Sequence, residues 1–106
     1  MFARLHTLAA TPDQADRGEE VVVGEILPWL RESTGFRGLI RFASPDLSRV
    51  LLVTLWADEE AFRKSAEAGV KLGELTATAI GSTRISVDDY AVTFWDVDVT
   101  SGGRPS

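Results

Sequence analysis

The sequence predicts an α+β fold: an antiparallel sheet with its helices on one face. Three observations lead there. Strand-like runs and two capped amphipathic helices succeed one another in the order strand, helix, strand, strand, helix, strand. The middle two strands are separated only by the turn Ser44-Pro45-Asp46, which makes them a hairpin. The second hairpin strand, Arg49–Ala57, is apolar on both faces and therefore needs cover on each.

Taken in order, residues 2–9 alternate loosely, with Phe2, Leu5 and Leu8, and read as the first strand. Thr11-Pro12-Asp13-Gln14 is a helix start. Thr11 caps, Pro12 suits the first helical position, and Gln14 closes a capping box. At ~100° per residue, Ala15, Val22, Val23, Ile26, Leu27, Trp29 and Leu30 share one broad face of a helix that runs to about Ser33. Pro28 should kink its last turn by pressing on the carbonyl of Gly24. Gly35 ends the helix in the left-handed conformation, and the strand Gly38–Ala43 comes next.

Arg49–Ala57 carries Val50, Leu52, Thr54 and Trp56 on one face and Leu51, Val53 and Leu55 on the other. Asp58 caps the next helix, with Glu59 and Glu60 in its positive first turn. A break is expected near Gly69, then a further helical piece to about Ala79. A last strand from Arg84 to Val99 is long enough to need a bulge near Asp88-Asp89. Residues 1–100 read as one domain, and Ser101–Ser106 as a disordered Gly/Ser/Pro tail. The order βαββαβ is the ferredoxin-like, split βαβ layout.

Composition narrows the function. The formal charge of -5 and the scattered basic residues argue against nucleic acid. No apolar run approaches the ~20 residues that cross a bilayer, and the start of the chain lacks the pattern of a signal peptide. No membrane association and a cytoplasmic location are therefore expected. With no cysteine, disulfides, thiolate chemistry and cysteine-type zinc sites are excluded. Phosphate-loop, dinucleotide and metalloprotease motifs are absent, and Asp88-Asp89 and Asp96/Asp98 read as solvated strand ends rather than a cation site.

The run from Leu27 to Gly38, Leu-Pro-Trp-Leu-Arg-Glu-Ser-Thr-Gly-Phe-Arg-Gly, is succeeded by the hairpin and by Leu55 to Phe62, Leu-Trp-Ala-Asp-Glu-Glu-Ala-Phe. This pattern resembles the antibiotic biosynthesis monooxygenase-like domains of the dimeric α/β-barrel superfamily, over about positions 2 to 99. The resemblance implies a homodimer in which two sheets pack face to face with the helices outside. Such a partner would cover the second face of Arg49–Ala57. It also implies a cleft between sheet and helices and, for an enzyme, oxidation of a small aromatic or polycyclic phenol by O2 without metal, flavin or other cofactor. The alternative is a non-catalytic dimer that binds a small apolar ligand or plays an accessory role. Haem ligation of the kind known in a related branch is disfavoured, because no histidine comes after His6.

Three residues are candidates for catalysis: Trp56, His6 and Arg41. By the resemblance Trp56 borders the cleft; as ordinary chemistry it packs on the next helix, against Phe62. His6, the sole histidine, can act as a base toward a phenol or hydrogen-bond a ligand, or simply sit in the wall. Arg41 and Arg4 can neutralise a phenolate or form salt bridges with the protein's own acids. Trp29, Phe62, Glu19 and Arg4 are expected to line the cleft, Glu19 either as a cleft carboxylate or as a group overhanging the sheet edge. Tyr90 and Trp95 read as barrel or interface aromatics.

Overall fold

The computed structural model describes residues 1–66, 74, 81 and 83–97. Four strands, β1 (Phe2–Ala9), β2 (Phe36–Ala43), β3 (Arg49–Trp56) and β4 (Thr83–Ala91), form one antiparallel sheet in the order β2-β3-β1-β4. Helices α1 (Pro12–Val21), α2 (Leu27–Arg31) and α3 (Glu59–Lys64) complete the described elements. This is the α+β, ferredoxin-like arrangement that the element order predicts.

Local chemistry accounts for the helix ends. The Thr11 hydroxyl accepts from the Gln14 backbone, and the Gln14 side chain accepts from the Thr11 backbone, so the capping box forms. The Asp58 carboxylate accepts from the Ala61 N–H at 2.8 Å. Gly35 takes φ +80°, and a Cβ there would lie 2.4 Å from the Cβ of Ala61. Glycine is thus required twice over, by its conformation and by the approach of α3.

The first helix differs from expectation. Between α1 and α2, Val22–Ile26 form a π-helical turn, in which the Leu27 N–H reaches back five residues to the Val22 carbonyl. A wider turn advances each residue by less than the α-helical angle and so re-phases the residues after it. Ala15, Gly18, Val22, Ile26 and Leu30 consequently stay in line on the buried side. Val23 and Trp29, placed on the same face by a constant helical angle, are instead 52% and 39% exposed. Pro28, which cannot donate an N–H, sits just past the π turn in α2.

Strand β4 ends at Ala91 rather than Val99. Its neighbour β1 begins at Phe2, and the Val92 N–H donates to the Met1 carbonyl, the end of the available ladder. The bulge lies not at Asp88-Asp89 but where Thr7 pairs with Ser86 and Leu8 with Arg84, leaving Ile85 extra. The expected break near Gly69, the helical piece to Ala79 and the tail from Ser101 lie outside the described residues.

The register sorts the sheet into rungs. Facing the helices are Val87–His6–Leu52–Arg41, then Asp89–Arg4–Thr54–Leu39, then Ala91–Phe2–Trp56–Phe36. Helix and sheet residues meet in a core of Leu8, Ala15, Val22, Ile26, Leu30, Val50, Leu52, Trp56 and Ala61. The opposite face carries Leu5, Val53 and Leu55 with Ile40, Phe42 and Tyr90, the last three 41%, 49% and 56% exposed. Among the described residues, the second apolar face of β3 is left partly exposed.

Candidate functional site

Polar side chains gather beneath the helices over the β1–β4 half of the sheet. Period-two alternation along β1 turns Arg4 and His6 inward together with Leu8, and all three are buried. Arg4 is held on every side. Its Nε donates to Asp89 Oδ1 at 2.9 Å, Nη1 to Ser65 Oγ at 2.7 Å and Nη2 to the Phe62 carbonyl at 3.4 Å. The guanidinium carbon lies 4.4 Å from the centre of the Phe62 ring. Asp89 remains about half exposed, so solvent screens its side of the ion pair. This arginine ties α3 to β1 and β4, and its three nitrogens are already engaged by the protein.

His6 is fully buried, and neither ring nitrogen has a hydrogen-bond partner among the described residues. Burial lowers its pKa from 6.5 to about 4; the charges of Arg4 and Arg84 push the same way, and Asp89 opposes them. The ring is therefore neutral at physiological pH and offers one donor and one acceptor. Leaving such groups unbonded in a core costs about 1–3 kcal/mol each. A ligand hydroxyl or carbonyl that reached the ring would recover that cost.

Arg41 lies on the rung of His6 but two strands away, with Leu52 between them, a separation of about 10 Å. Its Nη2 donates to the Ala15 carbonyl at 2.5 Å, while Nε is buried without a partner among the described residues. Burial lowers its pKa, against the opposing charges of Glu19 and Asp16. Arg41 thus pins α1 over the edge strand, with the half-buried Glu19 beside it.

Trp56 lies two rungs from His6, about 13 Å along the strand. Its Nε1 donates to Thr54 Oγ1 at 3.1 Å, and its ring meets Phe36 edge-on at 5.5 Å. The Phe62 ring lies 5.4 Å from that of Phe2, and Phe62 packs against the core that contains Trp56. A cavity of about 370 Å³ runs between the turn after α2 and α3, lined by Ser33, Thr34, Gly35, Trp56, Asp58 and Ser65 among others. Cavity and polar cluster are different places. Ser65 belongs to both, lining the cavity and accepting from Arg4.

The structure thus brings Arg4 and Phe62 together, sets His6 two residues from Arg4 on the same side of β1, places Arg41 and Glu19 at the β2 edge, sets Trp56 at the cavity, and leaves Trp29 on the outer surface of α2. Asp89 and Ser65 are members of the cluster that the sequence does not single out. By sequence Asp89 is a solvated strand end. Only the β1–β4 register, with Arg4 opposite Asp89, exposes the pair. Among the described residues no group of three or more His, Cys, Asp or Glu is arranged to hold a metal ion, and no helix is long and apolar enough to cross a membrane.

No protein-family model and no curated protein matches the sequence. Solved structures do match in fold. The chain is similar to a monooxygenase from the gene ActVA-Orf6 of Streptomyces coelicolor in complex with Nanaomycin D, with TM-score 0.71, 19% identity and 92% of each chain covered. It is similar to a protein of Deinococcus radiodurans described as an antibiotic biosynthesis monooxygenase, with TM-score 0.67, 16% identity, and 95% of this chain and 100% of that one covered. It is similar also to SnoaB, a cofactor-independent oxygenase from Streptomyces nogalater, with TM-score 0.63, 18% identity, and 89% and 94% covered. At these identities the likeness is one of fold. The chain has the ferredoxin-like α+β fold of the antibiotic biosynthesis monooxygenases.

Proposed function

We propose that the protein is a homodimeric, cofactor-independent oxygenase that takes a small aromatic or polycyclic phenol between sheet and helices and oxidises it with O2. The observation that carries this reading is His6: buried, neutral and unbonded at both nitrogens beside two arginine charges. Burial is the main reason the ring stays neutral, and the positive charges of Arg4 and Arg84 that add to it favour a phenolate. A ring with so low a pKa is a weak base, so its role is to hydrogen-bond the ligand oxygen while the surrounding charge stabilises the anion. The anion supplies the electrons. An activated ring C–H becomes a carbonyl, one oxygen atom enters the ring, and the other leaves as water with the C–H and O–H protons. The substrate thus provides all four electrons that O2 accepts. Entry to the buried ring would pass Ser65, which lines the cavity and holds Arg4. The fold shared with a cofactor-independent oxygenase supports the cofactor-free chemistry.

The partly exposed apolar face of the sheet supports the dimer. Two such faces packed about 10 Å apart bury Leu5, Val53, Ile40, Phe42 and Tyr90 against their counterparts.

One observation favours a second reading, a binding or accessory protein without catalysis. The Trp56 N–H is satisfied by Thr54, and Arg41 is committed to α1. Oxygen uptake with a panel of polycyclic hydroquinones and phenols separates the two. Turnover that falls at least tenfold in His6→Leu supports the oxygenase. Saturable binding with no uptake supports the alternative, and turnover unchanged in His6→Leu contradicts the assignment of His6.

A further inference from the structure

By sequence Arg4 is a candidate ligand contact, yet each of its three guanidinium nitrogens is bonded by the protein. His6 lies two residues along the same strand and on the same side of the sheet. We propose that Arg4 is a positioning residue for His6: clamped by Asp89, Ser65 and the Phe62 carbonyl, it fixes a positive charge two residues from the buried ring on the same side of the sheet, and so adds to burial in keeping that ring an uncharged hydrogen-bond partner. The proposal rests on the reading that His6 meets the ligand, but its own test needs no ligand.

Two potential cations compete in one buried place. A guanidinium does not release its proton under any ordinary condition, whereas an imidazole does so near neutrality. When both are buried side by side, the imidazole yields. A mobile arginine could swing away from a protonated neighbour. This one cannot, because Nε, Nη1 and Nη2 are bonded to three different residues on two parts of the chain and its plane is held over Phe62.

Few other groups among the described residues bear on the ring. Arg84 on β4 acts in the same direction as Arg4, and Asp89 on β4 acts against both. The neighbours on β3, Leu52 and Thr54, and the buried residues Ala15, Gly18 and Val22 of the first helix are uncharged. Asp16 and Glu19 act on Arg41. At the end of α3, Ser65 is neutral, and Lys64 pairs with Glu60 in solvent. The consequence for function is a flat response. An ordinary histidine changes charge between pH 5 and 8, and with it the affinity for a phenol; a ring held neutral does not.

The test is the pH titration of the His6 ring protons by NMR, unambiguous because the chain has a single histidine. Wild type should titrate at about 4. Arg4→Gln should raise the midpoint without bringing it to 6.5, because burial remains, and Arg4→Lys, which keeps the charge, should restore most of the wild-type value. Asp89→Asn should leave the midpoint at or below that of wild type, opposite in direction to Arg4→Gln. That opposition separates charge from loosened structure, since loosening would move both variants upward toward 6.5. If Arg4→Gln does not fold, Arg4→Lys and Asp89→Asn carry the same test. The proposal is overturned if Arg4→Gln titrates with wild type, if Arg4→Lys moves upward as far as Arg4→Gln, or if Asp89→Asn moves upward. Absence of phenol turnover alongside the expected titrations would remove the oxygenase reading and leave the role of Arg4 standing.

Discussion

Replacing His6 by leucine should change the pH dependence of stability more than stability itself at neutral pH. The folded ring has its pKa lowered to about 4, against 6.5 when unfolded. Between those values the unfolded chain holds a proton that the folded chain does not. Stability is therefore complete above about pH 6.5 and declines as the pH falls toward 4. That gap corresponds to about 3 kcal/mol lost by pH 4, a large share of the ~5–15 kcal/mol that holds a small domain. Leucine removes both the titration and the two unbonded nitrogens, at little change in volume. Urea unfolding of both proteins from pH 7.5 to 4 measures the effect by linear extrapolation. Carboxylates common to both cancel in the difference. The variant should match or exceed wild type at pH 7.5 and gain about 3 kcal/mol on it by pH 4. Parallel curves would refute the reasoning, as would a variant that is less stable by about 2 kcal/mol or more at neutral pH, because the ring would then be making bonds.

Other expectations rest on the same geometry. Gly35→Ala forces a Cβ against Ala61 at a positive φ, and should cost about 2 kcal/mol or more, read as a lowered urea midpoint with unchanged slope. Asp58→Ala removes the cap of α3 and should cost about 1 kcal/mol by the same measurement. Phe42→Asp, on the partly exposed sheet face, should leave the circular dichroism spectrum intact while converting a dimer to a monomer in sedimentation velocity. A dimer that survives this change would place the interface elsewhere.

The features legible in the sequence are local. Thr11 with Gln14, Asp58 and Gly35 act within a turn of themselves, and each does what its residue type dictates. The order of elements and the two-sided apolar strand are likewise readable, because alternation needs no knowledge of neighbours. The departures are nonlocal or cooperative. A constant helical angle puts Trp29 inward, and the π turn carries it outward. Propensity alone extends β4 past Ala91, but a strand ends where its neighbour does. Phe62 meets Phe2, and Arg4 finds Asp89 across 85 positions, because register rather than composition decides who meets whom. For the same reason the three catalytic candidates are spread over three strands. The polar focus lies on β1, around a histidine whose bonding state no sequence pattern displays.

The most direct test of the central claim, that neutral His6 receives the hydroxyl of a phenolic ligand, is the nitrogen NMR spectrum of its ring on titration with a polycyclic phenol at pH 7. The predicted result is a saturable shift of a ring-nitrogen signal with the ring still neutral. Saturable phenol binding that leaves both His6 nitrogens unmoved would contradict it.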